Sequence, residues 1–544
     1  MNLPTMLRSL SLVALVALAS GPLLAQGPPD RGGPLDRTAP GDAGPRGLVT
    51  RTEGATPGLT LLAPLRSTTT YLLDLDGQVV HTWPSEYNPG NGVYLMDDGS
   101  LLRCADTENE RFRSNGTGGR VQRFSWEGEL LWDYLVSDDR RMQNHDFEPM
   151  PNGNVLVAAW DYKSRDEALA AGVAPERVTD QGLWPCVLLE IEPVLPDGGR
   201  VVWEWNAWDH LVQDQDPTKD NFGVVAARPE LLDVNARVLV DGMDAEAESE
   251  RAALEEEMRA IGYVGDEAQP EDDGFELGAG PDMMHVNGVA YEPELDLIAL
   301  SCWETNEVLV IDHGTTTEEA AGHTGGRYGK GGDILYRWGN PANYGAGTAD
   351  DQQLFSQHDA RWLPGPRLTI FNNDAGRAEA DGRRSRWGGG RDYSTIVELE
   401  LPFDPETGFL RADGAAFEPA APAWIYRADP PEAFYGSFIS GAHRLPNGNT
   451  FICEGPQGRL FEVTPEGDTV WEYVIPFDAM DVDAWWGRFG WGDMEMDDMD
   501  TDGMSMEDVD LDDWDDADGF MVAQAAFRAT RLAPDHPGLA KLEP

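Results

Sequence analysis

Along most of this chain apolar and polar residues alternate in short runs broken by Gly, Pro, Asn and Asp. That is the period-two signature of strands separated by tight turns. Two hairpin patterns take turns from about Thr56 to Tyr473. The first runs apolar–turn–apolar and ends on aromatic residues. It reads YLLDLDGQVVHTW (71–83), VQRFSWEGELLWDY (121–134) and VLLEIEPVLPDGGRVVWEW (187–205), returns around 308–338 and 396–427, and closes with LFEVTPEGDTVWEY (460–473), six copies in all. The second is clearest in HDFEPMPNGNVLVAAW (145–160) and HRLPNGNTFICE (443–454). With VYLMDDGSLLRC (93–104), HVNGVAYEPELDLIALSCW (285–303) and HDARWLPGPRLTIFNN (358–373) it makes five copies. Pro-Asn-Gly-Asn and Asp-Asp-Gly supply the positive φ that a hairpin turn requires.

Two hairpins per unit predict four-stranded blades, and the count predicts an all-β fold, a six-bladed β-propeller. Six outer hairpins and five inner ones leave the first blade half-built. Its missing strands are expected from GLTLLAP (58–64) and from AAFRATRLAP (525–534), which would close the ring. A β-sandwich does not account for strict alternation over so many units. The strand-end Trp and Tyr residues are read as packing between blades.

The propeller is expected over 51–478, with two acidic insertions. Residues 241–281 carry DAEAESERAALEEEMRAIGY, an Ala/Glu-rich stretch expected to form a helix on a loop between blades. Residues 479–520 are acidic, Met-rich and of low complexity, expected as a solvated loop. Clustered carboxylates there also suit calcium, although no EF-hand spacing is present; no other cofactor is expected. Residues 521–544 are expected as the closing strand and tail. At the other end, Arg8, an apolar run from Leu10 to Leu24 and small residues at Ala19 and Ala25 read as a signal peptide over 1–25. A Gly/Pro-rich stretch, 26–50, is expected as a disordered linker. The protein is therefore expected to be exported, periplasmic or extracellular, with no membrane insertion once the signal is removed.

Charge narrows the choice of partner. Lys+Arg number 40 against 97 Asp+Glu, a formal net charge of −57. Such a field excludes nucleic acid and anionic membrane surfaces, and an anionic substrate would need a local cluster of Arg and His. Cys104, Cys186, Cys302 and Cys453 form no framework or metal motif, and three of them share a strand position in different repeats. They are expected to be buried free thiols.

Aligning the inner hairpins on their turns brings one column forward. His145 lies nine residues before Asn154, His358 nine before Arg367, and His285 eleven before Asp296, a shift that preserves the strand face. Asn91 and Ser440 fill the column in the first and last hairpins. Innermost strands line a propeller's channel, so these side chains are expected to converge. Asn287 shares the face of His285, and Arg377 follows the fourth inner strand in FNNDAGR (371–377). His443 falls out of register. Arg beside imidazoles suits an oxyanion such as a sulfuryl group. No HExxH or paired motif supports a zinc centre at these histidines.

Several long stretches resemble the bacterial aryl sulfotransferase family: WDHLVQDQDPTKDNFG (208–223), DMMHVNGVAYEPELDLIALSCWETNEVLVIDH (282–313), YGKGGDILYRWGNP (328–341), DQQLFSQHDARWLP (351–364), FNNDAGR and ISGAHRLPNGNTFICEG (439–455). The resemblance covers roughly 56–478 and the segment FRATRLAPDHPGL. It implies a six-bladed propeller that moves a sulfuryl group from an aryl sulfate to a phenol through a histidine, without a nucleotide donor. It also implies catalytic roles for His285, His358 and Arg377, with Asn287 binding substrate; the repeat column adds His145 and Ser440 as further substrate-binding candidates. The family's nucleophilic His falls just before a Tyr-Ser-rich strand. The matching segment here, EAFYGSFISG (432–441), holds Glu432, Tyr435 and Ser440 but no His. Either His285 or His358 then serves as nucleophile, with a second imidazole protonating the leaving oxygen, or the chain acts differently. The alternatives are a non-catalytic binding propeller and a metal-dependent hydrolase or lyase, since one fold hosts all three.

Overall fold

Each inner hairpin and the outer hairpin that follows it form one antiparallel four-stranded sheet. The computed structural model describes residues 46–236, 280–374, 393–475 and 525–542, with a few residues between 255 and 263. The expected signal peptide 1–25, the acidic segment 479–520 and Arg377 lie outside the described residues.

Blade two comprises Pro89–Leu95, Leu101–Asp106, Gly119–Phe124 and Leu130–Leu135; blade three comprises Arg141–Pro149, Val155–Asp161, Cys186–Val194 and Gly198–Asn206. Blade four is built from Val286–Glu292, Leu297–Cys302, Glu307–Asp312 and Tyr336–Trp338, and blade five from His358–Leu363, Arg367–Asn372, Thr395–Glu400 and Trp424–Tyr426. Blade six holds Gly441–Arg444, Thr450–Glu454, Arg459–Val463 and Thr469–Val474. Both expected sources complete blade one: the C-terminal Ala526–Leu532 is its inner strand, paired to Leu59–Pro64, then Thr69–Leu73 and Val79–Pro84. Each innermost strand packs on the next, and the last on the first, so the ring closes.

The linker expected over 26–50 ends earlier than that. Gly47–Arg51 is a strand, paired antiparallel to the outer strand of blade six from Gly47↔Val474 to Arg51↔Trp471. The cause is physical: the outer edge of blade six offers unpaired backbone groups, and Leu48 packs on the cluster around Trp471 and Tyr473.

The recurring tryptophans join the blades as expected. The indole N–H of Trp83 donates to Ser125 O (3.1 Å), Trp132 to Gly198 O (2.7 Å), Trp205 to Gly332 O (2.7 Å), Trp338 to Pro419 O (2.8 Å), Trp424 to Pro465 O (3.4 Å) and Trp471 to Leu75 O (2.9 Å). Each bond crosses from one blade to its successor. A buried Trp with its N–H satisfied contributes area and direction together; truncating one to Ala costs about 3–5 kcal/mol. The four cysteines are free and buried, as expected. No described helix is long and apolar enough to cross a membrane.

Candidate active site

β-Bulges lie within or beside the histidine column in blades two to five. Between Gln143↔Ala159 and Phe147↔Val157 the inner strand of blade three advances four residues while its neighbour advances two. Blade two does the same between Pro89↔Ala105 and Val93↔Arg103. Blade four gains one residue between Val286↔Cys302 and Gly288↔Ser301, and blade five one between His358↔Phe371 and Arg361↔Thr369. The surplus residues leave the ladder, as bulges do beside functional sites. Within the bulges Asn91, His145 and Asp359 have φ of 81°, 46° and 52°, and His285 and Ser440, each just before its strand, have φ of 52° and 83°. Non-glycine residues seldom adopt such angles, and each costs of order 1–3 kcal/mol.

His145 and His285 meet edge to face, ring centroids 4.3 Å apart. The third imidazole, His358, joins them electrostatically: burial comes first, and then the neighbouring imidazoles disfavour a proton on either His145 or His358. All three rings have Nδ1 fixed by a local acceptor. His145 Nδ1 lies 3.0 Å from Asn144 Oδ1. His285 Nδ1 lies 3.0 Å from Asp282 Oδ2. His358 Nδ1 lies 3.0 Å from Ser356 O and 2.8 Å from Asn373 Oδ1. The Asn373 amide is itself oriented, because its Nδ2 donates to Gly436 O and Ile439 O. With Nδ1–H donating in each ring, the lone pair stands on Nε2.

The three Nε2 atoms differ in freedom. That of His145 is buried without a partner and faces the Gly116 backbone so closely that a Cβ at Gly116 would lie 2.0 Å from it. It has no room for a substrate atom. Asp282 makes His285 the most strongly prepared ring. One carboxylate oxygen accepts from His285 Nδ1 and Trp160 Nε1 (2.9 Å), the other from the His285 main-chain N–H (2.9 Å). Burial alone would raise this carboxyl, but the His285 contacts and the Trp160 indole outweigh it and hold it below the ordinary value. His358 has only neutral partners, and burial pushes it down to about 3. That favours the neutral ring at ordinary pH, with Nε2 as a hydrogen-bond acceptor.

Below the imidazoles lies an ion network drawn from several blades. Arg528, on the closing strand, binds Asp359 Oδ1 (2.7 Å) and Asp146 Oδ1. Asp146 Oδ2 accepts Val289 N–H (2.9 Å), Asp359 Oδ2 accepts Ala442 N–H (3.0 Å), and Arg361 Nε adds a third bond to Asp359 (2.8 Å). The inner strands of blades one, three, four, five and six are thereby tied at one level. Beside them burial and the Asp146 charge push Glu148 up to about 8, with the Tyr94 hydroxyl donating to it at 3.0 Å.

The remaining candidates are placed differently. Asn287 is buried, its Nδ2 donating to Gln357 O (2.9 Å) and its Oδ1 without a partner. The Ser440 hydroxyl donates to Phe438 O (3.2 Å) and accepts Gly455 N–H (2.9 Å), so it shapes the loop instead of offering a hand to substrate. His443 is out of register, as expected; its Nε2 accepts the Arg531 N–H at 3.2 Å. Sequence reasoning missed Asp282, Asn373, Arg528 and Tyr263. The first two stand three residues before and fifteen after a column histidine. Tyr263 ends the short helical piece at Glu257–Arg259, packs on His145, Phe438 and Phe527, and keeps a buried hydroxyl without a partner. The insertion thus reaches the histidines.

Fold and site together define a six-bladed propeller with a histidine-centred site at the inner strands. The chain belongs to the arylsulfotransferase (ASST) family, whose family model matches residues 49–470. No curated protein matches it. Similar solved structures include a Bacteroides caccae protein of unknown function at 12% identity, TM-score 0.37, covering 77% of this chain and 94% of that one. The β-propeller domain of Myceliophteria thermophila Cps50 (Swd1) matches at 9% identity, TM-score 0.31, covering 79% of this chain and 89% of its own. A streptogramin B lyase matches at 10% identity, TM-score 0.32, with 80% and 85% covered.

Proposed function

We propose that this exported protein transfers a sulfuryl group from an aryl sulfate to a phenol through His285, with no nucleotide donor. The observation that carries the reading is the Asp282–His285 pair, which fixes Nδ1–H and leaves Nε2 as the lone-pair nitrogen. Nε2 attacks sulfur; an N–S bond forms as the S–O(aryl) bond breaks. The electron pair leaves with the phenolate, which takes a proton from solvent. Attack at Nε2 makes the ring a cation, and the Asp282 carboxylate balances it, the same division of labour as in a Ser-His-Asp site. In the second half-reaction the acceptor oxygen attacks sulfur, the N–S bond breaks and the ring recovers its lone pair, while the proton of the acceptor hydroxyl passes to solvent.

His358 has no ionised partner at Nδ1 to balance such a cation. Its neutral Nε2 suits a hydrogen bond from the acceptor phenol O–H, aligning the oxygen for attack. Arg377 remains the proposed holder of the sulfuryl oxygens on the strength of its motif, since a guanidinium fork matches that geometry.

The test is incubation with a chromogenic aryl sulfate, with and without a phenol, followed by rapid acid-free digestion and mass spectrometry. The expected result is ping-pong kinetics and one sulfurylated residue, His285. His285→Ala abolishes both label and turnover, whereas His358→Ala still labels but transfers slowly. A label on His358 would refute the assignment. No turnover of any aryl sulfate would favour a binding propeller, a reading to which the histidine-free segment 432–441 lends support.

A further inference from the structure

A second cluster of ligating side chains lies away from the bulge column, at the join of blades three and four. His210 follows the outer strand of blade three through the turn Ala207–Asp209 and is fully buried. Asp333 is buried and His323 half-exposed, both on the loop between Glu307–Asp312 and Tyr336–Trp338. His210 Nδ1 and His323 Nδ1 lie 2.9 and 2.7 Å from the same oxygen, Asp333 Oδ1. One ligating atom from each residue falls within 4.8 Å of the other two, the one such group of three among the described residues.

Hydrogen-bond logic makes this set unusual. His210 Nε2 lies 2.8 Å from Ala320 O, while Nδ1 faces the Asp333 carboxylate. A neutral imidazole has a single N–H. If Nε2–H donates to the carbonyl, Nδ1 turns a lone pair toward a carboxylate oxygen, a conflict that either an added proton or a metal ion bound by both groups relieves. The opposite tautomer only moves the conflict to Ala320 O. A main-chain carbonyl on the far nitrogen is how proteins orient a metal-binding imidazole. The ring is further clamped: Trp205 stacks on it at 5.7 Å and 6°. The loop is built to close here, since a Cβ at Gly332 would lie 2.0 Å from Ala320 O and 2.7 Å from His210 Nε2, and Gly331 has φ of 58°.

We propose that His210, His323 and Asp333 bind one zinc-like divalent ion that staples the glycine-rich loop 322–333 of blade four to blade three. Two imidazoles and a carboxylate are a borderline N/O set that suits zinc. The half-exposed His323 leaves the fourth position toward solvent, where water completes a tetrahedron. This site is independent of sulfuryl transfer.

The experiment uses the full chain, stripped with a chelator and held in excess calcium so that the acidic segments are saturated. Cobalt(II) and then zinc are titrated alone, followed by visible absorption, calorimetry and thermal melting. The expected result is one equivalent with tetrahedral cobalt bands, a Kd tighter than ~1 μM and a Tm that rises with zinc. His323→Ala, a change at a half-exposed position, keeps the metal-free Tm but weakens zinc at least ~10-fold and removes the Tm rise; Asp333→Asn does likewise. His285→Ala keeps the full equivalent. Zinc binding that survives His323→Ala, or vanishes in His285→Ala, overturns the proposal. So does an absence of tight binding, in which case a proton on His210 fills the gap.

Discussion

Replacing Asp282 by Asn isolates the feature on which the proposed reaction rests. The carboxylate accepts four bonds: His285 Nδ1–H at 3.0 Å, Trp160 Nε1–H at 2.9 Å, and the main-chain N–H groups of His285 at 2.9 Å and Met284 at 3.3 Å. An amide has one acceptor oxygen and two donors of its own. If its oxygen stays on the main-chain side, its NH2 confronts the Trp160 N–H and turns the His285 ring to the wrong tautomer; flipped, it confronts the main chain. A hydrogen bond to a charged group is worth about 1.5–3 kcal/mol, and this one strengthens as Nε2 is sulfurylated and the ring charges. The expected loss in the sulfurylation rate is therefore ~10–100-fold, read as the burst of phenol release under single-turnover conditions. Trp160→Phe is the control, because it removes a donor to the same oxygen without touching the imidazole, and it should retain most of the burst. Donor binding, measured by competition, should change little in Asp282→Asn. The reasoning fails if Asp282→Asn keeps a wild-type burst while remaining folded, or if Trp160→Phe loses as much.

Two further outcomes follow from charges away from the nucleophile. His313 joins Asp296 (2.7 Å) to Glu190 (3.1 Å), and although burial opposes it, those contacts lift its pKa to about 9. Its contribution, up to ~3 kcal/mol at 1.36 kcal/mol per unit, is fully present below the unfolded value near 6.5 and is lost as pH rises through about 9. Urea midpoints of wild type and His313→Gln should thus differ most at pH 6 and converge by pH 10; a gap that widens with pH contradicts the sign. Glu190 is held down to about 2 by the same contact, one interaction viewed from two sides and not to be added twice. Arg528→Met leaves Asp146 without a cation, Asp359 keeping Arg361, and should cost about 3–5 kcal/mol by chemical denaturation, with Arg528→Met/Asp146→Asn recovering part of it; a loss below ~1 kcal/mol would mean the network does not latch the ring.

What the sequence made legible depends on whether the physics is periodic. Blade number, strand order and the C-terminal closure follow from alternation and turn chemistry, because both repeat with the fold. The column Asn91, His145, His285, His358 and Ser440 was visible as well, but only as an alignment offset. The irregular count of residues before the turn, nine in blades three and five and eleven in blade four, mixes real bulges with a longer hairpin. Counting therefore found the column without showing that four of its members sit at positive φ. Residues that act through contact across the ring carry no such mark. Arg528 comes from the strand that closes blade one, 382 positions from Asp146 in sequence, and no spacing rule brings the two together.

The same reasoning explains why the column reads as one chemistry although its residues do different work. His145 and His285 both have positive φ, yet a Cβ at Gly116 would fall on the Nε2 of one, and no hydrogen bond from a described residue is made to that of the other. Neither His285 nor His358 has a hydrogen-bond partner at Nε2 among the described residues, but they differ in what stands behind Nδ1: an ionised carboxylate in one case, two neutral oxygens in the other. The propeller repeats the backbone device, and the loops between repeats assign the roles. Under the proposed reaction, the segment 432–441 can lack a histidine without emptying the site, because the inner strands supply imidazoles from several blades and the partner behind each ring would decide which carries the transferred group.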